Sequence, residues 1–365
     1  MEREEIQKNA LLALKATKGN CTLDITMRVG KTKIALDYIS YVLNLKGDLF
    51  SRVLWICDST KERDIDVKEE AKKWNIDISR VDLVHWKSIH TVDNQDDYIL
   101  IIFNECQNIT PNLCGYLHGF KKAKIVGMTG TYPRFEKAKL LKELKLDRIA
   151  FRYDLDEAAE DGVISDYEIE VVEIPMSGDK VIDVTYDGGT FKTSEISSYE
   201  NLSKKIDDAK TASQEKFMRL LRMKAVNKFP SKIYYTQQIL IENAKKGLKT
   251  LVFAQDNKHA LAIGKNVYSS KTDDKVLQKF ESGEISYMIL INKGGTGYTY
   301  KTPIDHVILL APHSNNTILQ KSGRGSIKNK SGKLKITVPI SKDTVQKKWV
   351  QSAFKDLDQK KIKYL

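Results

Sequence analysis

Short apolar segments that alternate with helical or polar stretches are the feature that most constrains the fold of this chain. In the first half, these segments are rich in Ile and Val and occupy residues 23–25, 53–57, 98–103 and 124–128. Comparable segments follow in the second half, at residues 250–254, 287–292, 306–310 and 335–340. Because strands that alternate with helices form parallel sheets covered on both faces, the pattern predicts an α/β fold with two similar halves.

The length and composition of the chain predict two domains. It has 365 residues, of which 41% are apolar, and this suits two separate cores better than one. An acidic, less periodic segment at 151–166 is predicted to cross between domains at 1–150 and 167–345. A hairpin and helical insertion is expected near 177–228, where an Asp-Gly-Gly sequence favours a tight turn. Residues 346–365 are predicted to form a basic C-terminal helix.

The balance of charges favours a polyanionic partner. The 60 Lys and Arg residues exceed the 48 Asp and Glu residues and give a net charge of +12 at pH 7. The N-terminus lacks the apolar core of a signal peptide, and no apolar run is long enough to cross a bilayer. We therefore expect a cytoplasmic protein with no membrane partner, and its expected state is a monomer.

The four cysteines are far apart in the sequence: Cys21, Cys57, Cys106 and Cys114. They form no CxxC pair, and no histidines nearby are arranged like zinc ligands. This pattern predicts reduced, mostly buried thiols.

The segment at residues 26–32 lies between a strand candidate and a helix candidate, where backbone N–H groups and a helix N-terminus bind phosphate. Lys31 is expected to pair with the β- and γ-phosphates of a nucleotide, and Thr32 is expected to hold Mg²⁺. The usual first glycine of the GxxxxGK[ST] pattern is replaced by Ile25, and a plain loop is the alternative interpretation. The candidate nucleotide ligands of this segment are Arg28, Gly30, Lys31 and Thr32.

A second polar pair, Asn104 and Glu105, follows the apolar segment at 98–103. The carboxyl edge of a parallel sheet would place this pair beside the phosphates. Glu105 is expected to orient or deprotonate the attacking water. Asn104 stands where an Asp normally contributes to the Mg²⁺ shell, and its amide oxygen is a weaker, neutral ligand. The alternative interpretation is a polar strand end without a catalytic role.

Two further motifs complete the candidate site. The sequence Thr129-Gly130-Thr131 follows the next strand candidate, and its hydroxyl groups are expected to link nucleotide state to the domain interface. Gln320 and Arg324 are one helical turn apart near the C-terminus. Arg324 is expected to reach the γ-phosphate as an arginine finger, which is worth roughly 10³- to 10⁵-fold in rate. The alternative role for Arg324 is a contact to a nucleic-acid backbone.

These segments, in this order, resemble the superfamily 2 helicases and translocases over nearly the whole chain. The resemblance implies two RecA-like domains in tandem, each a mostly parallel sheet flanked by helices, with ATP and Mg²⁺ between them. Gln7 matches the glutamine that reads adenine in that family. Residues 251–254, 280–283 and 292–297 resemble further motifs of the second domain.

The resemblance also implies a nucleic-acid track. The segment at 153–167 is similar to the inter-domain crossing of phage and bacterial DNA helicases, so single-stranded or branched DNA is expected, with RNA as the alternative. Contacts of this kind go to the phosphate backbone and read little sequence. The matching positions are Ser59, Thr60, Lys61, Lys87, Ser88, Lys293 and Thr296.

Three departures from the family pattern bear on the choice among three candidate functions. The family's Asp-Glu-x-His is Asn104-Glu105-Cys106-Gln107 here, Ile25 replaces a glycine, and Ile327 replaces the last arginine of the sixth motif, next to Lys328. The main hypothesis is an ATP-dependent DNA helicase or translocase, because Lys31, Thr32, Glu105 and Arg324 are retained. The alternatives are an attenuated ATPase that serves as a nucleic-acid-binding protein, and an RNA helicase.

Overall fold

The computed structural model describes residues 1–46, 50–186, 189–269, 274–291, 300, 302–310 and 333–365. They form two compact units, Met1–Ile164 and Ser165–Leu365. Among these residues, no helix combines the length and the apolar character that crossing a bilayer requires.

The first unit is built on a six-stranded sheet in which all neighbouring strands are parallel. Along the chain the strands are β1 (Cys21–Ile25), β2 (Arg52–Cys57), β3 (Val81–His85), β4 (Tyr98–Asn104), β5 (Lys124–Thr129) and β6 (Ile149–Tyr153). Across the sheet their order is β3-β2-β4-β5-β1-β6. The helices are α1 (Arg3–Ala16), α2 (Lys31–Lys46), α3 (Val67–Lys73), α4 (Pro111–Leu117), α5 (Phe135–Glu143) and α6 (Leu155–Glu160).

Strand β4 shows how the sheet of the first unit is covered on both faces. Its side chains alternate, so Leu100 and Ile102 join one core and Ile101 and Phe103 join the other. The first core is completed by α1 and α2, and the second by α4 and α5. Burial on both faces explains why β4 is a continuous apolar run in the sequence.

The second unit contains a seven-stranded parallel sheet and a separate hairpin. Its strands are β7 (Asp166–Ile174), β8 (Ile182–Tyr186), β9 (Gly189–Thr193), β10 (Thr250–Phe253), β11 (Val267–Tyr268), β12 (Tyr287–Leu290), β13 (His306–Leu309), β14 (Lys333–Ser341) and β15 (Ile362–Tyr364). The sheet order is β11-β12-β10-β13-β14-β7-β15, and β8 pairs with β9 in an antiparallel hairpin. The helices are α7 (Glu195–Asp207), α8 (Ala212–Asn227), α9 (Pro230–Lys245), α10 (Asn257–Ile263), α11 (Lys275–Ser282) and α12 (Gln346–Phe354).

The predicted fold class is confirmed, and two details differ from the prediction. Strand β6 pairs with β1 and Ala158 of α6 is buried in the first core, so the first unit continues to Ile164. The predicted helix at 346–365 is wrong beyond Phe354, because Ile362–Tyr364 pairs with β7 at the edge of the second sheet. A three-residue edge strand is too short to show a clear alternation of apolar and polar residues.

A buried polar network fastens the helical insertion to the second unit. Glu195 of α7 is fully buried, and its carboxylate accepts hydrogen bonds from the backbone N–H and the hydroxyl of Ser231, both at 2.7 Å. Lys232 Nζ donates to Gln346 Oε1 at 3.3 Å, and Gln346 Nε2 donates to Asn227 Oδ1 at 2.8 Å. Burial lowers the pKa of Lys232 to about 7. These contacts join α7, α8, α9 and α12, because each buried polar group needs a partner.

His306 forms a second buried polar contact in the same unit. Its Nδ1 lies 2.8 Å from Asn243 Nδ2 and its Nε2 lies 2.8 Å from Thr337 Oγ1. Since an amide nitrogen only donates, Nδ1 accepts and Nε2 carries the proton. Burial, followed by the charge of Lys335, lowers the pKa of His306 to about 3. The neutral imidazole therefore ties β13 to α9 and β14.

We expect the second unit to lose stability as the pH falls from 6.5 toward 3. The pKa of His306 is lower in the folded state than its ordinary value of 6.5, so the unfolded chain binds more protons across this range. The variant His306→Gln lacks this titration, so its unfolding free energy should fall by ~2 kcal/mol less between pH 6.5 and pH 4.5. Urea unfolding midpoints of both proteins across the pH range measure the difference. Parallel pH profiles for the two proteins would contradict the expectation.

Candidate nucleotide site

The polar segments picked out in the first half of the sequence lie at one edge of the first sheet. All six strands of this sheet run in the same direction, so their carboxyl ends share an edge. The strand register aligns Asp24 with Thr129, Asn104 with Met128, and Cys57 with His85. The loops after β1, β2, β3, β4 and β5 therefore emerge next to one another in the order of the strands.

The loop between β1 and α2 has a backbone shape that suits an anion. Gly30 has a φ of 99° and Arg28 has a φ of 68°, both in the left-handed region. Helix α2 begins at Lys31, so its N-terminal N–H groups face the end of this loop. The predicted metal ligand Thr32 lies in the first turn of the helix and is partly buried.

Helix α1 supports this loop from one side. Gln7 Nε2 donates to the carbonyl oxygen of Val29 at 2.6 Å, and Arg3 Nε donates to the same oxygen at 3.2 Å. A Cβ atom at Gly30 would collide with Gln7 Nε2. The residue predicted to read adenine is therefore packed against the loop predicted to bind phosphate, and the φ of 99° at position 30 favours glycine there.

Lys31 brings the loop after β1 and the loop after β5 together. Its Nζ donates to the carbonyl oxygen of Ile25 at 3.0 Å, and a Cβ atom at Gly130 would lie 3.5 Å from the same Nζ.

Asp24 lies near the end of β1 beside Arg152, with which it forms an ion pair at 3.0 Å. Burial raises the pKa of Asp24, and the charges of Arg152 and Lys31 oppose this rise.

Thr129 and Thr131 use their hydroxyl groups to hold their own turn. Thr129 Oγ1 donates to the carbonyl oxygen of Thr131 at 2.8 Å and accepts from Thr131 N at 3.1 Å. Thr131 Oγ1 donates to the carbonyl oxygen of Gly130 at 2.7 Å. The turn keeps Gly130 next to Lys31 Nζ, so the Thr129-Gly130-Thr131 motif lies beside the loop predicted to bind phosphate.

Glu105 is held in a strained backbone conformation directly after β4. Its φ is 50°, which is uncommon for a residue with a side chain and frequent at functional sites. Its Oε2 accepts a hydrogen bond from Gln107 Nε2 at 2.5 Å. Gln107 Oε1 is buried and has no hydrogen-bond partner within the described parts of the chain. A ligand or a water bound here would satisfy that oxygen.

Asn104 is paired with a buried acid that sequence reasoning missed. Asn104 Nδ2 donates to Glu62 Oε1 at 2.7 Å. The same carboxylate accepts from Trp55 Nε1 at 3.0 Å and from Asp58 N at 2.8 Å. Burial raises the pKa of Glu62 to about 7, although these three hydrogen bonds oppose the rise. The sequence gives one signal for this contact: Asn104 stands where an acid is expected, and an amide can donate to a neighbouring carboxylate where an ionised acid cannot.

The oxygen donors at this edge suit Mg²⁺. The Thr32 hydroxyl, the Asn104 amide and the Glu105 carboxylate supply oxygen atoms, the ligand type that Mg²⁺ prefers. With the Asn104 Nδ2 atom committed to Glu62, its Oδ1 atom is on the opposite side of the amide and faces away from Glu62. The cradle before α2 agrees with bound phosphates, and the orphaned Gln107 oxygen agrees with a bound water, so the residues present fit ATP with Mg²⁺.

The loop after β2 contains three of the predicted nucleic-acid contacts. Ser59 Oγ accepts a hydrogen bond from Glu62 N at 3.1 Å, so Ser59 also shapes the turn around the buried acid. Lys61 forms an ion pair with Asp66 at 3.3 Å, and Thr60 is exposed. Asp58 Oδ1 accepts from Asn108 Nδ2 at 2.9 Å, which links this loop to the loop after β4.

The loop after β3 contains the other predicted contacts of the first unit. His85 Nδ1 accepts a hydrogen bond from Lys87 N at 3.3 Å, so His85 caps a short 3-10 helix at Trp86–Thr91. Trp86 is half-buried against the core that α4 and α5 cover in the first unit, and Lys87 Nζ lies 5.4 Å from the centre of the Trp86 ring. Lys87 is exposed and Ser88 is partly exposed at the sheet edge.

Several predicted residues of the second half lie outside the described residues: Lys293, Thr296, Gln320, Arg324, Ile327 and Lys328. Two neighbouring motifs are described. Residues 251–254 include most of β10, and Phe280 of α11 is fully buried. Gly283 follows α11 with a φ of 88°, the left-handed conformation in which glycine ends helices.

Many solved structures share this fold, and three of them illustrate the likeness. The Hef helicase domain from Pyrococcus furiosus is similar with a TM-score of 0.53 and 14% identity, covering 97% of this chain and 99% of that chain. A fragment of a putative HsdR subunit of a type I restriction enzyme from Vibrio vulnificus has a TM-score of 0.61 and 18% identity, covering 100% and 67%. Dbp5 from S. cerevisiae, bound to RNA and ADP BeF3, has a TM-score of 0.57 and 12% identity, covering 99% and 89%.

No family model matches the sequence, and no curated protein matches it. At identities between 12% and 18%, the structural likeness establishes the fold alone. The chain therefore shares the fold of these structures, two RecA-like α/β domains in tandem, each built on a parallel sheet flanked by helices.

Proposed function

We propose that this protein is a nucleic-acid-stimulated ATPase that works as a DNA helicase or translocase. The observation that carries the proposal is the arrangement of Lys31 in the first unit. Its Nζ lies between the β1–α2 loop and Gly130, at the edge where β4 ends at Asn104 and Glu105 follows. A cation, a helix N-terminus and acidic or amide oxygens at one edge are what a nucleotide with its metal requires.

In this proposal the first unit binds ATP and Mg²⁺ with residues of helix α1, of the segment after β1 and of the end of β4. Bound Mg²⁺ would neutralise charge on the phosphates. Lys31 and the N–H groups around Gly30 hold phosphate, while Gln7 contacts adenine and Arg28 lines the loop. Thr32, Asn104 and Glu105 supply oxygen atoms to the metal shell, and Glu105 also orients the attacking water. Gln320 and Arg324 are proposed to complete the site from the second domain.

We propose DNA as the nucleic acid that the protein binds and moves along. The net charge of +12 favours a polyanion, and exposed Thr60 and Lys87 lie on loops at the same sheet edge as the nucleotide site. Ser59, Lys61, Ser88, Lys293 and Thr296 are the other proposed backbone contacts. The similar structures include a helicase domain, a restriction-enzyme subunit and a protein bound to RNA, so RNA is the competing track.

An attenuated ATPase is the second candidate, and one contact favours it. The Asn104 amide donates to Glu62, so the position that normally bears a metal-directed carboxylate contributes a neutral oxygen. A weaker metal shell would slow hydrolysis while leaving binding of nucleotide and nucleic acid intact. The protein would then act as a nucleotide-dependent binding protein.

We expect Lys31→Ala to abolish ATP turnover, since the substitution removes the cation proposed to pair with the phosphates. Lys33→Ala is the matched control on the same helix, because the Lys33 ammonium pairs with Asp37. The control should retain turnover close to that of the natural protein. Steady-state ATPase assays at saturating nucleic acid measure both variants. Unchanged turnover in Lys31→Ala would refute the site assignment.

We expect single-stranded or forked DNA to stimulate turnover more than RNA of equal length. Steady-state ATPase rates at low salt, with no nucleic acid and with single-stranded, duplex and forked DNA or RNA, measure the preference. Binding should weaken steeply with salt, because each neutralised phosphate releases counterions. Stronger stimulation by RNA than by DNA would contradict the proposal of DNA and favour an RNA helicase. Binding without turnover on every substrate would favour the attenuated candidate.

The contact between Asn104 and Glu62 gives a prediction of its own. Asn104→Asp replaces a donor with a second carboxylate at hydrogen-bond distance, so we expect it to destabilise the first unit by ~1–3 kcal/mol. Adding Glu62→Gln removes one of the two carboxylates and should recover part of that loss, because the amide keeps only one acceptor oxygen for the Trp55 and Asp58 donors. Thermal unfolding of the two single variants and the double variant measures the coupling.

The ATPase rate of the double variant then separates the two candidate functions. A large gain over the natural protein would show that Asn104 attenuates the site. A rate equal to or below that of the natural protein would support Asn104 as a working ligand. Additive effects on stability would contradict the direct contact between positions 62 and 104.

A further inference from the structure

Three potential metal ligands meet between α4 and α5 of the first unit. Cys114 lies within α4, His118 caps the C-terminal end of the same helix, and Glu143 is the last residue of α5. Cys114 Sγ lies 3.9 Å from His118 Nε2 and 3.6 Å from Glu143 Oε2. The three ligand atoms lie within 4.8 Å of one another.

The two separations from the Cys114 sulfur are close to the edges of a zinc tetrahedron. With Zn–S bonds of about 2.3 Å, and Zn–N and Zn–O bonds of about 2.1 Å, a tetrahedral site places sulfur about 3.6 Å from each of its partners. The sulfur-to-carboxylate distance already has this value, and the sulfur-to-imidazole distance exceeds it by a few tenths of an ångström. His118 and Glu143 are exposed, so their side chains have room to rotate toward one cation.

The kind of ligand atom selects the class of metal. One sulfur, one imidazole nitrogen and one carboxylate oxygen suit zinc and cobalt, whereas magnesium prefers oxygen alone. We propose that Cys114, His118 and Glu143 form a three-ligand site for a zinc-like divalent cation, with water in the fourth position. The site is separate from the residues assigned to ATP and does not depend on the proposed ATPase function.

Cation binding requires the thiolate form of Cys114. Burial and, after it, the hydrogen bond to Glu143 raise the pKa of the Cys114 thiol to about 11. The thiol proton therefore passes to solvent as the sulfur–metal bond forms, and the neutral His118 ring binds through Nε2. One thiolate and one carboxylate then balance the two positive charges of the cation.

The proposed cation would brace two helices of the first unit. Helix α4 follows β4 and helix α5 follows β5, and both cover the core that contains Leu113 and Leu141. If Cys114 and His118 of α4 and Glu143 of α5 coordinate the same cation, the cation links the two helices. The sequence pattern suggested no zinc site, because the third ligand is 25 residues beyond His118 and the Cys-x-x-x-His spacing lacks a second pair.

The test is a Co²⁺ titration of the full chain after treatment with a chelator. We expect a thiolate-to-Co²⁺ charge-transfer band in the near ultraviolet at one equivalent of metal, and its loss when Zn²⁺ is added. Zn²⁺ should also raise the melting temperature of the protein without nucleotide. Mg²⁺ should do neither. A protein without the charge-transfer band at any Co²⁺ concentration would overturn the proposal.

Variants assign the band to the three residues. His118→Ala and Glu143→Gln change exposed side chains, so the protein should fold, and each should weaken Co²⁺ affinity at least tenfold. Cys114→Ser should remove the band. Cys21→Ser changes another buried thiol and should leave the band and the affinity unchanged. A band that persists unchanged in His118→Ala and Glu143→Gln would overturn the site.

Discussion

The parallel arrangement of the first sheet is the constraint on which the candidate site depends. Because all six strands point the same way, every loop that follows a strand emerges at the same edge. Residues far apart in the sequence, such as Lys31, Asn104 and Gly130, become neighbours through this arrangement. Burial of β4 on both faces keeps the centre of the sheet rigid, so the loops are presented by a fixed platform.

The pair formed by Glu62 and Asn104 shows how this edge tolerates an unusual residue. An amide at position 104 next to a buried carboxylate at position 62 keeps one acidic group at the end of β2 and β4. Glu62 accepts hydrogen bonds from Trp55, Asp58 and Asn104, so its donors come from β2, from the loop after β2 and from β4. Substituting either residue alone leaves a buried polar group without its partner, and the two positions are therefore coupled.

Much of the fold and part of the site were predictable from the sequence, for physical reasons. Apolar segments followed by polar residues mark the carboxyl ends of buried strands, so the places of Lys31, Asn104, Glu105 and Thr129 followed once a parallel sheet was inferred. The role of Glu62 was out of reach, because it depends on β2 lying beside β4 in the sheet order. The edge strand β15 and the ligand cluster at Cys114 were missed because each needs contacts between distant segments.

The contact between Gln7 and the loop after β1 has a consequence for nucleotide selection. One amide nitrogen holds the Val29 carbonyl oxygen and fills the space above Gly30, so the first helix and the loop form one packed unit. The Gln7 amide has two N–H donors and one acceptor oxygen, so one donor can hold the loop while the rest of the group faces a base in the proposed site. In that site a single side chain would contact both the base and the phosphate loop, and the two contacts would be energetically coupled.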